Sequence, residues 1–170
     1  MINNRLSKTI TAVLNAQILQ EAYAAQLYLS YGAWAENMGL CGVAHFLFAH
    51  SVEERTHMTK VMDYILKRGA VANITAIGAP PENPDDLNTC FQQIFIHEAD
   101  NTKSISKIVK MALEEEDWAT FNFMQWFVKE QVEEETLVMN IQNSLKITGG
   151  AKVPGEELYT FDKDMGKLKA

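Results

Sequence analysis

Four long stretches of this chain repeat apolar residues at three and four residue steps, and each sets one glutamate in the middle of its apolar stripe: Glu21, Glu54, Glu98 and Glu134. Helices with such stripes bury them against one another, which brings the four acids together. Burying even one unpaired carboxylate costs several kcal/mol. A bundle built on these stripes therefore has to place positive charge among the acids, and that requirement narrows the chemistry along with the fold.

The first helix is expected from about Arg5 to Asn37, a span without proline and with Gly32 as its only glycine. Its stripe is Ile10, Leu14, Gln17, Glu21, Ala24, Tyr28 and Tyr31. Met38 to Gly42 reads as a turn, its glycines relieving the chain where a helix ends. A second helix follows from about Val43 to Lys67, with Val43, Leu47, His50, Glu54, His57, Val61 and Tyr64 on one stripe. Arg68 and Gly69 end it, with basic residues at the favourable pole of the helix dipole.

Residues 69–86 carry three of the four prolines and no helical period. So long a connection counts against an assignment unless it has a geometric reason. The second helix is roughly 38 Å long, and an extended chain of this many residues reaches on the order of 55 Å. The connection can return along the whole bundle and leave the second and third helices parallel.

Pro84-Asp85-Asp86 opens the third helix, whose inner face is Leu87, Phe91, Ile94, Glu98, Ile105, Ile108 and Ala112, ending near Glu115. Asp117 caps the fourth, with Phe123, Phe127, Gln131, Glu134, Val138, Ile141 and Leu145 on its stripe. Thr148-Gly149-Gly150 stops it. After Pro154-Gly155 a short helix is expected from Glu156 to about Met165, anchored by Leu158 and Phe161. There is no solenoid repeat and no low-complexity tract. The expected architecture is all-α: a four-helix bundle with one long crossover between its second and third helices and a short fifth helix, all of residues 1–170 forming a single domain.

With 170 residues and 47% apolar content the chain can bury a real core. A net charge of −7 with scattered basic residues argues against a nucleic-acid footprint and favours cations as partners. Cys41 and Cys90 form no C-x-x-C pair, and MINNRLSKTI lacks the apolar run of a signal peptide, so a reducing cytoplasm is the expected location. No stretch approaches the ~18 consecutive apolar residues of a bilayer span, so no membrane is expected.

Glu54 and His57, three apart on one helix face, can close on a single metal ion. Four carboxylates beside a neutral imidazole balance two divalent cations. Carboxylates with one imidazole and no thiolate suit Fe(II) or Mn(II) better than a structural zinc, and open positions on such a metal can take O2. For any single helix the bland reading is a solvated glutamate on a stripe drawn one residue off; four such coincidences are needed to dismiss the set. Tyr28, two turns beyond Glu21, and Gln131, one turn before Glu134, read either as neighbours or weak ligands of the metal, or as a packed Tyr and a partly exposed Gln. His45 has no carboxylate at ligand spacing and reads as structural. His50, with Glu53 and Glu54 downstream, and His97, with Asp100, do have that spacing, but the centre is complete without them, and a solvated or hydrogen-bonded imidazole is the simpler reading. Trp126 and the Phe and Met residues around it read as core.

The stretches QEAYAAQLYLS, EERTHM, HEAD, TFNFMQWFVKEQVEEE and GEELYTFDK resemble the bacterial non-haem ferritins, and the resemblance runs over nearly the whole chain. It implies a ferroxidase centre in which Glu21, Glu54 and His57 bind a first iron. A bridging Glu54, with Glu98, Glu134 and Gln131, would hold a second. It also implies a third, peripheral iron site from Glu53, Glu130 and Glu133, with Glu134 shared; without the resemblance, Glu133-Glu134-Glu135 reads as a charge run on a solvated face. The catalytic set on this reading is Glu21, Glu54, His57, Glu98 and Glu134, with Tyr28 beside them. Fe(II) would be oxidised by O2 or H2O2 and stored as hydrated ferric oxide inside a hollow shell of twenty-four identical subunits.

Two departures from wider relatives matter. The fourth helix has no second Glu-x-x-His, since Gln131 is followed by Glu134 and Glu134 by Leu137, so the site is asymmetric, unlike that of rubrerythrins and bacterioferritins. Arg55 follows Glu54 where haem-binding bacterioferritins have the haem-ligating Met, which implies no haem. The alternative is a dinuclear-iron peroxidase or oxygenase that stores nothing; the absence of a rubredoxin-like four-cysteine module and of a second ligand His weighs against the peroxidase version. Mini-ferritins that protect DNA build their metal site across two subunits, whereas these ligands fall within one bundle.

Overall fold

A computed structural model describes residues 4–149 and 155–168. It contains five helices: α1 (Lys8–Asn37), α2 (Cys41–Lys67), α3 (Leu87–Glu114), α4 (Trp118–Ile147) and α5 (Glu156–Met165). Each span matches an expected helix to within three residues. Gly150 and Pro154, expected to stop α4 and precede α5, lie outside the described residues.

The starts of the helices follow local chemistry. Ser7 caps α1, its hydroxyl accepting from Ile10 N at 3.0 Å, so the helix opens at Lys8 rather than Arg5. Asp86 caps α3 through Thr89 N, and Asp117 caps α4 through Thr120 N. Gly39 has φ +77° and takes the left-handed position after α1. Gly42, expected in that turn, lies inside α2 for a different reason. A Cβ there would sit 1.7 Å from the Asp162 carbonyl oxygen of α5. The Asp162 carboxylate accepts from Gly42 N at 3.1 Å and Val43 N at 2.9 Å, so α5 supplies the cap that Leu40 does not.

Pairings between helices fix their directions. Gln17 of α1 meets Asn101 and Ser104 of α3, whereas Tyr28 meets Glu98 and Tyr31 meets Gln93, so α1 and α3 are antiparallel. Ser51 of α2 donates to Ala25 O, and Arg5 and Arg68 bond at the far end, so α1 and α2 are antiparallel too. It follows that α2 and α3 run parallel, as the long connection requires. At the end of α2, Arg68 forms a 3.0 Å ion pair with Asp117 and donates to Tyr64 Oη, tying α2 to the start of α4.

The core divides into two apolar clusters. One gathers Tyr31, Leu47, Phe91, Ile94, Val138 and Ile141 and receives Phe161 of α5. The other gathers Ile10, Leu14, Val61, Ile65, Ile108 and Phe127. Between them the stripes carry Gln17, Glu21, Glu54, His57, Glu98, Asn101, Gln131 and Glu134, all buried. The polar layer lies at mid-length, where every helix has its glutamate. Among the described residues no helix is long and apolar enough to cross a membrane, and Cys41 and Cys90 are both free.

Candidate metal centre

Helix periodicity delivers the four central acids to one place. Glu21 and Glu98 are fully buried, and Glu54 and Glu134 are nearly so. His57 Nδ1 lies 3.3 Å from Glu54 Oε2 and 4.0 Å from Glu21 Oε2, and Glu21, Glu54 and His57 present ligand atoms within 4.8 Å of one another. Opposite them, Tyr28 Oη donates to Glu98 Oε1 at 2.8 Å, and Gln131 Nε2 reaches Glu98 Oε2 at 3.3 Å. Tyr28 and Gln131 are therefore both at the cluster.

Sequence reasoning placed Gln17 on the stripe without a role and passed over Asn101. Gln17 Nε2 lies 2.6 Å from both Glu21 Oε1 and Asn101 Oδ1, while Asn101 Nδ2 approaches Glu21 Oε2 at 3.5 Å and Gln131 Oε1 at 3.4 Å. Ser104 Oγ donates to Gln17 Oε1 at 2.8 Å. This amide chain links Glu21 on one side of the centre to Gln131 on the other. The signal was present: Asn101 follows Glu98 by three residues on a face that is otherwise apolar.

Confinement of the acids controls their protonation. Burial raises Glu21, and raises Glu54 well above the ordinary carboxylate range, with the negative charge of Glu21 and Glu98 adding to it. Glu98 is pushed up to about 7 by burial, against the hydrogen bonds from Tyr28 and Gln131. Glu134 is pushed up to about 9 by burial and by Glu98, Glu53 and Glu130. Burial also lowers His57 to about 4, so its imidazole is neutral and free to coordinate at neutral pH. Without a cation the cluster has to retain protons. A donor set of carboxylates with one neutral imidazole fits divalent iron or manganese.

Two further acids, Glu53 and Glu130, flank the centre, whereas Glu133 joins neither group. Glu53, half-buried, groups with His57 and Glu130, and separately with His50 and Glu134. Burial raises Glu53 and Glu130, with Glu130 acting on Glu53 and Glu133 acting on Glu130. Glu133 is exposed, and its carboxylate lies 3.3 Å from Lys129 Nζ. His50 is buried beside Glu134, with Nε2 3.8 Å from Glu134 Oε2. His97 packs against Tyr23, and His45 is exposed. Trp126, expected in the core, is 37% exposed and stands edge-on to His57 with ring centroids 5.2 Å apart, the Lys60 ammonium 3.7 Å from the centroid of the indole ring. A groove of about 430 Å³, lined by Glu53, His57, Lys60, Asp63 and Trp126 among others, leads to the His57 edge of the centre.

A family model described as "Ferritin-like domain" matches residues 11–147. A Haemophilus influenzae protein named "Probable bacterial non-heme ferritin-like protein" is 38% identical over 163 residues, covering 96% of this chain and 97% of that one. The bacterial non-heme ferritin of Campylobacter jejuni is 39% identical over 158 residues, covering 93% of each. Among solved structures, an open pore ferritin from the archaeon Archaeoglobus fulgidus superposes with a TM-score of 0.92 at 34% identity, covering 98% of this chain and 100% of that one.

Proposed function

This chain belongs to the ferritin family, and from that premise we propose that it stores iron, oxidising Fe(II) at the buried carboxylate centre and retaining the ferric product as hydrated oxide inside a shell of its own copies. The observation that carries the reading is the convergence of Glu21, Glu54, Glu98 and Glu134 with neutral His57 in a buried layer between two apolar clusters. Nothing in the bundle's stability calls for such a layer; it costs apolar contact and forces acids to hold protons.

In this reading Glu21, Glu54 and His57 take one Fe(II), and Glu98, Glu134 and Gln131 a second, with Glu54 shared between them. Binding displaces the protons that burial keeps on Glu54, Glu98 and Glu134, so charge stays balanced as the metal enters. Each Fe(II) gives up one electron, two together reducing O2 to H2O2 with uptake of two protons, or H2O2 to water. Hard carboxylate oxygens favour the ferric state. Tyr28 orients Glu98 through its hydrogen bond, and Gln17 and Asn101 do the same for Glu21. Glu53, Glu130 and Glu133, with Glu134 shared, would take a third iron on its way out of the centre. On this reading the shell has twenty-four subunits and works in a reducing cytoplasm, where Fe(II) is available.

The test separates storage from oxidation alone. Fe(II) is added in air in large excess over the centre, and the protein fraction is then assayed for native mass and iron. A large particle carrying far more iron than the centre can hold is expected. A monomer or dimer that holds only the iron of its centre, with the rest precipitated, would make the chain a dinuclear-iron oxygenase or peroxidase that stores nothing.

A further inference from the structure

We infer that a small apolar pocket between α3 and α4 is the port through which dioxygen reaches the centre, with Ile105, Val128 and Val132 as its walls and Gln131 as its inner door. The inference rests on the ferroxidase reading, since it names the route taken by that reaction's oxidant.

Helix spacing builds the pocket. Thr102 and Ile105 share one face of α3, and Val128, Gln131, Val132 and Glu135 fall at three and four residue steps on one face of α4. Where the two faces meet they enclose about 160 Å³. Ile105 and Gln131 are buried, Val128 is half-buried, and Val132 is 65% exposed. The pocket thus has a floor inside the bundle and a mouth at its surface.

Its chemistry suits an uncharged, apolar guest. Glu135 is its one charged residue among the described residues, and the polar groups of its inner end are turned to each other. Thr102 Oγ1 donates to Glu135 Oε1 at 2.5 Å and accepts from Gln131 Nε2 at 3.2 Å. Water gains little in such a space, because it needs two or more polar partners to stay. An apolar cavity of about this size takes xenon or a small hydrocarbon instead. Dioxygen is small and equally apolar.

The floor touches the centre. Gln131 Nε2 also lies 3.3 Å from Glu98 Oε2 and 3.2 Å from the Glu98 carbonyl oxygen. A guest on the floor therefore has only the Gln131 carboxamide between it and Glu98. The terminal torsion of a glutamine is soft, so that amide can swing and let a diatomic molecule pass without moving either helix.

The other approach to the centre differs in kind. The groove at the His57 edge is about 430 Å³ and carries Glu53, Lys60, Asp63 and Lys67. Charged walls suit ions and hydrogen-bonding peroxide, and hold O2 no better than water does. Openings of unlike chemistry let ion and gas arrive by separate ways.

The experiment uses the intact protein. Crystals pressurised with xenon, an apolar stand-in for O2, should show density against Ile105, Val128 and Val132. Val128→Phe places a ring in the pocket. Its stopped-flow oxidation of Fe(II) should be several-fold slower at low O2, with the deficit closing at high O2, and should keep the parent rate with H2O2. Anaerobic Co(II) should fill as many sites per chain as in the parent. No xenon in the pocket, an unchanged O2 rate in the variant, or O2 and H2O2 rates that fall together would overturn the inference. If Val128→Phe fails to assemble, Val132→Phe and the xenon map decide. A parent that oxidises Fe(II) rapidly but holds no xenon there sinks this inference and leaves the ferroxidase reading standing; a parent that leaves Fe(II) unoxidised in air sinks both.

Discussion

Glu54 and His57 stand one turn apart on α2, and His57 Nδ1 lies 3.3 Å from Glu54 Oε2, both side chains almost completely buried. Their approach is set by helix geometry alone, since residues three apart share a face. A metal bound there needs both. Glu54→Ala and His57→Ala should each abolish fast Fe(II) oxidation in stopped-flow measurements while the helical signal and native mass persist. Removing one acid from a crowded set relieves repulsion, so metal-free Glu54→Ala should unfold no earlier than the parent. A wild-type oxidation rate in either variant would remove this pair from the centre.

Protonation makes the metal-free protein sensitive to pH in a direction that can be worked out. Glu134 keeps its proton up to about 9 in the folded state and loses it near 4.5 when unfolded. Glu98 behaves likewise up to about 7. The folded state then binds more protons, so stability falls as pH rises through that window. His50 and His57, both lowered to about 4, act oppositely, but only below 6.5, where their unfolded forms charge. From pH 7 to 9 Glu134 contributes a slope of at most about 1.4 kcal/mol per pH unit, and Glu54, raised by burial as well, acts in the same direction. Denaturant melts of metal-free protein should show that decline, Glu134→Gln should make it shallower, and Mn(II) should reverse it. A flat profile in the parent would mean that Glu134 is ionised in the folded state.

Asn101 joins the two halves of the centre through Gln17, Glu21 and Gln131. Asn101→Ala leaves those partners buried with fewer bonds and should cost about 1–3 kcal/mol in denaturant unfolding. Because Glu21 loses part of its orientation, Fe(II) affinity should fall while the number of sites per chain is kept. A titration that instead shows a lost site would make Asn101 a ligand.

Docking of α5 depends on a glycine. Gly42→Ala puts a methyl group where the Asp162 carbonyl lies, and Asp162→Ala removes the acceptor for two amides at the start of α2. The second change should cost about 0.5–2 kcal/mol, as loss of an N-cap does. Both should speed amide exchange in α5 and leave Fe(II) binding at the central layer intact. Unchanged exchange in Gly42→Ala would show that α5 does not need this contact.

The helices and the central acids were legible because both follow from periodicity, a property of residues close in sequence. What was not legible depended on distant partners. Gly42 looked like the second glycine of a turn, and only Asp162, 120 residues later, gives it another purpose. Gln17 stood on its stripe without a role and Asn101 was passed over, and only the antiparallel pairing of α1 and α3 sets them 2.6 Å apart. Trp126 read as core because it is aromatic and neighbours Phe127, yet its face of α4 turns towards Lys60 and the groove. For His50 the spacing to Glu53 and Glu54 was visible. The contact of its Nδ1 with the Phe46 carbonyl oxygen at 3.1 Å was not, because the rotamer that makes it is decided by packing between Phe46 and Tyr28.

The division of the core has a mechanical consequence. An apolar bundle of this length would melt as one body, whereas here two greasy ends are separated by a belt of like charges and protons that contributes little cohesion of its own. Cations drawn into that belt would act as rivets across α1, α2, α3 and α4 at their midpoint. Loading the protein should therefore tighten its waist more than its ends, and the amides that gain most protection from exchange should be those flanking Glu21, Glu54, Glu98 and Glu134. Cargo and keystone would be the same ion, so each departure of iron towards the mineral would leave the bundle briefly at its softest in the middle.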